Sequence, residues 1–250
     1  MIATPSSADL HELVGLVQAT DMRLQQLAHD GIIGPHHACA GEEPTLVGAA
    51  AALDENDWVF WGSQVCVPAL TRGMDVGLLF SEAFTPGATQ SELAERKIVT
   101  KTHGAAARLP HATGLAWAAR QDGVAVLCEL GDGAISDADF HVGVNFAAVM
   151  NAPVVFVVRN GVDAPAVTPR AVGYGIRSTR VDGMEATEVK DVVSNALDEA
   201  RTGTGPVLIE AVTQRGQQTY KGANIAFGEQ IESAITAAER ARHATRAARG

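Results

Sequence analysis

The sequence predicts an α/β protein in which a doubly wound parallel sheet carries helices on both faces. Two observations lead to this prediction. Short valine-rich segments alternate with segments of helical length through the second half of the chain, and 46% of the 250 residues are apolar. Strands that are buried on both faces are continuously apolar, and their alternation with helices is typical of a parallel sheet.

The first half of the chain begins with a predicted amphipathic helix. Apolar residues recur at helical spacing from about Ser7, the expected cap, to His29. Three further elements are expected: a helix at Leu46–Leu53, a buried strand at Trp58–Trp61 and a helical stretch from Val67 through Gly73. The polar segment Thr85–Lys101 has mixed charge and no clear period, so a mobile loop is expected there.

The second half has the clearest alternation of strands and helices. The expected elements are helix Pro110–Arg120, strand Val124–Leu130, helix Asp137–Met150, strand Val154–Val158, strand Ser178–Val181, helix Ala186–Arg201 and strand Pro206–Val212. A helical tail is expected at 225–250, because Ile231, Ile235 and Ala238 share one face. Since no repeat or linker interrupts the pattern, residues 1–250 are predicted to form one domain with an N-terminal helix at 1–30.

Composition excludes several classes of partner and compartment. The formal net charge of −10 argues against nucleic acid or an anionic membrane surface as the main partner. The three cysteines are spaced neither as a disulfide framework nor as a zinc site and are expected to be reduced thiols. No segment reaches the roughly 20 apolar residues of a membrane span, and Met1–Leu13 has no basic start, so a cytoplasmic protein is expected.

The most informative motif is Gly131-Asp132-Gly133, which follows one predicted strand, while Asn160 follows the next. Ligands of doubly wound sheets lie outside the carboxyl ends of the strands. The glycines would let the backbone approach an anion, and the amides of Gly133 and Ala134 open toward a helix start. Asp132 would supply an oxygen to Mg²⁺, with a second oxygen from the loop after Val158. The alternative is that Gly-Asp-Gly is an ordinary turn.

The motifs as a set resemble the alpha subunit of the thiamine-diphosphate-dependent, decarboxylating component of 2-oxo acid dehydrogenases. The matching runs, within about residues 20–215, are His37 with Gly41 and Glu43, Thr71-Arg72-Gly73, Leu109–Gly114, Gly131–His141, Asn145–Val149, Pro153–Phe156, Arg180–Met184 and Gly205–Glu210. The resemblance implies a thiamine-diphosphate-binding fold, action on a small 2-oxo acid, and a beta-type subunit that supplies the cofactor-activating glutamate.

The resemblance also implies roles for individual residues. His37 would be catalytic, and Asp132 and Asp163 would bind the metal. The residues that would bind the cofactor are Gln64, Ala105, Asp132, Gly133, Ala134 and Asn160. A heterotetramer, or another oligomer with the beta-type chain, is expected in this family.

The sequence departs from the family pattern at four places, and these departures lead to two hypotheses about function. Gly161 stands where the family has its metal-binding Asn, Ser63-Gln64 replaces a Tyr-Arg pair, and the loop near Thr219 lacks the family's histidine. The family's C-terminal region is also largely absent. The first hypothesis is an active subunit in which Lys101, His103, Arg108 or Arg215 compensates for these losses. The second is a catalytically degenerate subunit that serves as scaffold or regulator.

Several other polar residues could have either a functional or a purely structural role. Asn160 could touch the cofactor or cap a turn. His111 is expected to pack or bond at a helix end, and Cys66 has no activating neighbour in the sequence. The adjacent His36 and His37 should point apart and so not form a metal pair. The arginines of the tail, Arg240, Arg242, Arg246 and Arg249, are expected to lie on a solvated face, with a clamp on an acidic partner as the alternative.

Overall fold

The structure is a computed structural model that describes residues 6–62, 64–99 and 104–247. Within these ranges six strands form one sheet in which all neighbouring pairs are parallel. The strands are β1 (Trp58–Phe60), β2 (Ile98–Val99), β3 (Val126–Gly131), β4 (Val154–Gly161), β5 (Arg177–Asp182) and β6 (Val207–Thr213). Their order across the sheet is β2-β1-β3-β4-β6-β5.

Helices cover both faces of this sheet. The helices are α1 (Ser7–His29), α2 (Glu43–Ala51), α3 (Cys66–Thr71), α4 (Val76–Phe84), α5 (Gln90–Glu95), α6 (Arg108–Ala119), α7 (Ala138–Met150), α8 (Thr168–Gly173), α9 (Ala186–Glu199) and α10 (Ala223–Ala247). No helix in the described ranges is long and apolar enough to cross a bilayer.

Two apolar cores form because successive residues of a strand point to opposite faces. In β3, Leu127 belongs to the core shared with α1, α2, α9 and α10. Its neighbours Val126 and Cys128 belong to the core shared with α6, α7 and α8. The predicted doubly wound parallel sheet with helices on both faces is therefore confirmed.

Helices α6 and α7 approach closely at a glycine. A Cβ on Gly143 of α7 would lie 2.5 Å from the Cβ of Leu109 and 2.8 Å from its carbonyl carbon in α6. The Thr113 hydroxyl also donates to the Gly143 carbonyl at 3.0 Å. Only a residue without a side chain allows this contact, so Gly143 fixes how the two helices pack.

The long terminal helices agree with the predictions except at one cap. Helix α1 begins after Ser6, not at a cap on Ser7: the Ser6 hydroxyl accepts from the Asp9 amide, and the Asp9 carboxylate accepts from the Ser6 amide. Helix α10 confirms the predicted helical tail, with Ile231, Ile235 and Ala238 buried. Of the arginines in this tail, Arg242 lies 5.6 Å from the centre of the Phe84 ring and Arg240 is exposed.

The prediction of a mobile loop at Thr85–Lys101 is wrong in the described part of that segment. Gln90–Glu95 form α5, and Ile98–Val99 form β2, which pairs in parallel with β1. This segment is ordered because Leu93 of α5 and Ile98 of β2 are buried in the core. Two apolar residues are too few to show a periodic pattern in the sequence. Thr100 and Lys101 lie outside the described residues. Neither α4 nor α8 was predicted from the sequence.

The strand order reverses between β1 and β3, since the chain adds β2 on one side of β1 and β3 on the other. The crevice at such a reversal, outside the carboxyl ends of the strands, is where doubly wound proteins bind ligands. The fold therefore places the turn after β3 at the edge where a site is expected.

Candidate functional site

A cavity of about 590 Å³ opens at this reversal, beyond the carboxyl ends of β1, β3 and β4. Its volume lies in the range of about 300–1,000 Å³ that is typical of small-molecule sites. Five predicted site residues line it: His37, Gln64, Ala105, Gly133 and Ala134. The other lining residues are Ala38, Gly62, Gly104, Gly131, Arg108 and Arg159.

Glycines bring the backbone close to the space of this cavity. Gly131 ends β3, and Asp132–Ser136 then form a short 3₁₀ turn. Gly133 is exposed, and a Cβ there would meet nothing within 4 Å. On the opposite wall, a Cβ on Gly62 would lie 2.7 Å from Nη1 of Arg108. The first glycine opens the cavity and the second lets an arginine approach the end of β1.

Six alternating charges form a continuous chain of ion pairs beside the cavity. Arg108 and Arg159 both contact Glu129, at 3.4 Å and 2.6 Å, and Arg159 also pairs with Glu42. The Arg215 Nε donates to Glu42 at 2.8 Å, and its Nη2 donates to Asp132 at 2.7 Å. We call this set the ion-pair chain; its members, in order, are Arg108, Glu129, Arg159, Glu42, Arg215 and Asp132.

The centre of the ion-pair chain is buried. Glu129, Arg159 and Glu42 are each less than 9% exposed, so their charges are stable only because each has a partner. Burial works to lower the pKa of Arg159, but Glu129 and Glu42 outweigh it and raise that pKa above its ordinary value. The guanidinium therefore stays charged and rigidly placed, with its Nη2 facing Gly131 in the cavity lining.

Asp132, the predicted metal ligand, lies at the outer end of the ion-pair chain. Burial works to raise its pKa, but the hydrogen bond and charge of Arg215 outweigh burial and hold the pKa below its usual value. The amides of Gly133 and Gly161 also favour the charged form. Asp132 is thus an ionised carboxylate whose Oδ1 already accepts from a guanidinium.

The residues around Asp132 do not fit a resident divalent cation. Mg²⁺ requires about six oxygen ligands in near-octahedral geometry. Gly161 offers no side-chain oxygen, and Asp163 is exposed in the turn after β4. Neither Asp132 nor Asp163 is among the residues that line the cavity. In the described part of the chain, no three His, Cys, Asp or Glu side chains are grouped to hold a metal. The roles of Asp132 and Asp163 as metal ligands stay predictions.

Gln64 closes one wall of the cavity in the place of the family's arginine. Its side chain is 4% exposed and donates through Nε2 to the His37 carbonyl at 3.4 Å. Its Oε1 has no hydrogen-bond partner among the described residues. A buried acceptor without a donor is costly, so a ligand with an N–H or O–H group would be favoured here. Ser63, the adjoining departure, is outside the described residues.

Asn160 is buried near the carboxyl end of β4 and is not in the cavity lining. Its amide nitrogen donates to the Glu210 carboxylate at 2.9 Å and to the Pro165 carbonyl at 3.0 Å. These contacts order the turn that follows β4. Contact between Asn160 and a cofactor remains a prediction.

The loop after β6 is fastened to the loop before α2 through Glu43. The buried carboxylate of Glu43 accepts from the Gly41 amide at 2.8 Å, and the Thr219 hydroxyl lies 3.0 Å from it. Thr219 also lies 2.8 Å from Oε1 of Gln18. Burial, opposed in part by these hydrogen bonds, raises the pKa of Glu43 to about 7.

Three other polar residues make contacts outside the ion-pair chain. His36 pairs with Asp21 at 2.7 Å, away from the position of His37 on the cavity wall, as expected for neighbours that point apart. His111 makes a hydrogen bond with the Ala107 carbonyl within its own helix. Burial raises the pKa of the Cys66 thiol to about 12, which disfavours the thiolate that a nucleophile requires.

Glu42, Glu129 and Arg159 were missed from the sequence. The available signal was a single charge inside an otherwise apolar strand, as Glu129 in β3 and Arg159 in β4. Such charges are rarely buried unless they are paired. Of the four cations proposed to compensate for lost ligands, Arg108 and Arg215 belong to the ion-pair chain, whereas Lys101 and His103 lie outside the described residues.

The reversal of the sheet, the glycine-lined cavity and the paired guanidinium groups define an α/β protein of the doubly wound class with a candidate ligand site. The sequence model of the family described as "Dehydrogenase E1 component" matches residues 11–218. The chain therefore belongs to the dehydrogenase E1 component family, as its motifs predicted.

Named relatives are alpha subunits of 2-oxo acid dehydrogenases. The chain is 34% identical over 225 residues to 3-methyl-2-oxobutanoate dehydrogenase subunit alpha of Mycobacterium tuberculosis, covering 82% of this chain and 60% of that protein. It is 32% identical to 2-oxoisovalerate dehydrogenase subunit alpha of Bacillus subtilis, covering 84% and 71%. The mitochondrial human 2-oxoisovalerate dehydrogenase subunit alpha is 32% identical, with 82% and 51% covered. The chain thus spans about half to two thirds of most of these relatives.

Proposed function

We propose that this chain is an alpha-type subunit of a thiamine-diphosphate-dependent enzyme that acts on a 2-oxo acid. The observation that carries the proposal is that five of the predicted site residues line one cavity at the reversal of the sheet. The names of the relatives support a branched-chain 2-oxo acid as substrate. Decarboxylation followed by acyl transfer or oxidation is the reaction expected of such an enzyme.

The cavity offers the groups that an anionic cofactor end requires. Gly131 and Gly133 leave the backbone open to a diphosphate, and the Arg108 and Arg159 guanidinium groups line the same space. Guanidinium groups donate paired hydrogen bonds to phosphoryl oxygens in a fixed geometry. When bound, thiamine diphosphate supplies the electron sink for cleavage beside the 2-oxo group.

His37 is proposed to act on protons at the wall of the cavity. Its side chain is exposed and belongs to the lining, while its carbonyl is held by Gln64. An imidazole in this position can hold or deliver a proton beside a bound 2-oxo acid. The ion-pair chain keeps the opposite wall rigid, so the ligand is oriented against fixed groups.

An apolar stripe on α7 supports a protein partner. Val142, Phe146, Val149 and Met150 follow helical spacing and are all exposed, with Phe146 at 47% and Val149 at 76%. Trp117 on the adjacent α6 is exposed as well. Clustered exposed apolar side chains are typical of interfaces, so we assign this stripe to contact with the beta-type subunit in a hetero-oligomer.

The three cysteines are free and buried, which suits a reducing, cytoplasmic location.

The test is calorimetric titration of the purified chain, alone and with its co-purified partner, with thiamine diphosphate both in Mg²⁺ and in EDTA. Ala105→Trp places an indole in the cavity lining and should abolish binding. Ala118→Trp on an exposed position of α6 is the matched control and should leave binding unchanged. If neither preparation of the native chain shows heat or thermal stabilisation with the cofactor, the proposal is refuted.

The alternative function is a subunit that keeps the fold and interface as scaffold or regulator. The engagement of Asp132 by Arg215 favours it, since the predicted metal ligand is already paired. Under this alternative the partner complex forms, but thiamine diphosphate neither releases heat on addition nor raises the melting temperature. Co-purification without cofactor binding would therefore select the scaffold role.

A further inference from the structure

Arg215 pairs with Asp132, the carboxylate that the sequence predicts to bind a divalent cation. Nη2 of Arg215 lies 2.7 Å from Oδ1 of Asp132 and 3.5 Å from the Arg159 carbonyl, while Nε donates to Glu42 at 2.8 Å. Contact with two carboxylates and a carbonyl fixes the plane of the guanidinium group. One positive charge is thus held against the turn after β3.

The loop that carries Arg215 is fastened to the body of the protein. The Gly216 amide donates to the Ala40 carbonyl at 2.7 Å. Gly41 has a φ of 81°, and a Cβ there would lie 1.9 Å from the Gln214 carbonyl oxygen. Such close packing fixes the backbone that carries Arg215, and the ion pairs with Glu42 and Asp132 then hold its guanidinium group.

A divalent cation at Asp132 would meet both a shortage of ligands and repulsion. Gly161 has no side-chain oxygen, and Asp163 is exposed in the turn after β4. A cation bound to Asp132 would also lie next to the Arg215 guanidinium and compete with it for the same oxygen atoms. The guanidinium group, in contrast, can donate to a carboxylate and to phosphoryl oxygens at once.

We propose that Arg215 takes the place of the divalent cation, so that this chain binds the diphosphate of its cofactor without metal. The inference rests on the proposed function for the identity of the cofactor. The assignment of Arg215 to the cation's position depends only on the contacts of Asp132. The two parts can therefore be tested separately.

The first test is electron paramagnetic resonance of Mn²⁺ added alone to the full chain. In the presence of the native chain, the Mn²⁺ signal should remain that of the free ion. Arg215→Met, which frees the Asp132 carboxylate, should bind a fraction of the ion, and a second substitution, Asp132→Asn, should abolish that binding. Mn²⁺ binding by the native chain that is lost in Asp132→Asn would overturn the inference, whatever the cofactor does.

The second test is titration with thiamine diphosphate in EDTA and in Mg²⁺. The native affinity should differ by less than about threefold between the two, while Arg215→Met should weaken binding in EDTA by about tenfold or more, as for the loss of a charge-assisted hydrogen bond. Native binding that requires Mg²⁺, or unchanged binding by Arg215→Met in EDTA, refutes the inference. Absence of binding under both conditions refutes the proposed function instead.

Two further variants separate a specific role from general damage. Arg180→Met removes another half-exposed arginine, 3.5 Å from Glu210, and should leave Mn²⁺ and cofactor binding at native values. Arg215→Lys keeps a positive charge and should still exclude Mn²⁺, with weaker cofactor binding because the forked geometry is lost. Circular dichroism of each variant confirms the fold; equal behaviour of Arg180→Met and Arg215→Met would contradict the assignment.

Discussion

Glu43 should make the stability of this protein depend on pH in a predictable way. The Thr219 hydroxyl has one proton, yet its oxygen lies within hydrogen-bond distance of both Glu43 and Gln18. A protonated Glu43 can donate to Thr219, which then donates to Gln18. An ionised Glu43 must instead compete with Gln18 for that proton. Burial raises the pKa of Glu43 to about 7, and the hydrogen bonds from Thr219 and Gly41 oppose this rise only in part.

The magnitude follows from this pKa. Because the folded pKa of about 7 exceeds the ordinary 4.5, Glu43 stabilises the fold most below the unfolded pKa, and that stability is lost as pH rises toward 7. A difference of one in pKa corresponds to about 1.36 kcal/mol, so the total loss is about 3 kcal/mol. Most of it, about 2–3 kcal/mol, should occur between pH 5 and 8.

The assay is urea unfolding of the native chain and Glu43→Gln at several pH values. The amide can donate to Thr219 without titrating, so the variant should lack this loss and be the more stable protein at pH 8. Other titrating groups cancel in the difference between the two curves, and Glu229→Gln, at an exposed position in α10, should parallel the native curve. A native-minus-variant difference that stays constant with pH, or grows in the opposite direction, would refute the reasoning.

Three further perturbations have expected outcomes. Gly143→Ala should lower the free energy of unfolding by about 1–3 kcal/mol, because its Cβ would overlap Leu109. The control Gly114→Ala in α6 meets no neighbouring atom and should be neutral or stabilising in the same urea titration. Equal effects of the two substitutions would contradict the packing argument. Glu42→Gln should lower the free energy of unfolding by about 3–5 kcal/mol, because buried Arg159 and the neighbouring Arg215 each lose an anionic partner. The control Glu199→Gln, at a surface ion pair, should lower it by less than about 1 kcal/mol. A loss for Glu42→Gln as small as that of the control would contradict the role of the buried ion pairs. Phe146→Asp should abolish co-purification with the beta-type subunit without changing the melting temperature, and retained co-purification would exclude the α7 stripe as the interface.

The parallel sheet could be predicted because its signal is repeated along the chain. Strands β3 and β4 are continuously apolar over most of their length, and α7 between them has the expected span. Strand β2 could not be predicted, since Ile98–Val99 is stabilised by pairing with β1 and by burial, neither of which two residues can display in a sequence.

Only part of the candidate site could be predicted: His37, Gln64 and Ala105 were predicted from the resemblance, and Gly133 and Ala134 also from backbone chemistry. Gly133 and Ala134 were found because glycine after a strand has a local meaning, and the structure places both in the cavity lining. The ion-pair chain joins residues far apart in sequence, such as Glu42 and Arg215, which no spacing relates. Its contacts depend on loops from opposite ends of the chain meeting at one edge, so they follow from topology and not from any motif.

The three cations and three anions of the ion-pair chain cancel, so the ion-pair chain itself exerts no long-range pull on an anion. The chain as a whole carries a formal charge of −10, and its distant field repels such a ligand. Encounter should therefore become faster as ionic strength increases, the reverse of enzymes with basic funnels. If the ligand is phosphorylated, as proposed, it is then selected after docking, within the last few ångströms, by the fit of individual hydrogen bonds.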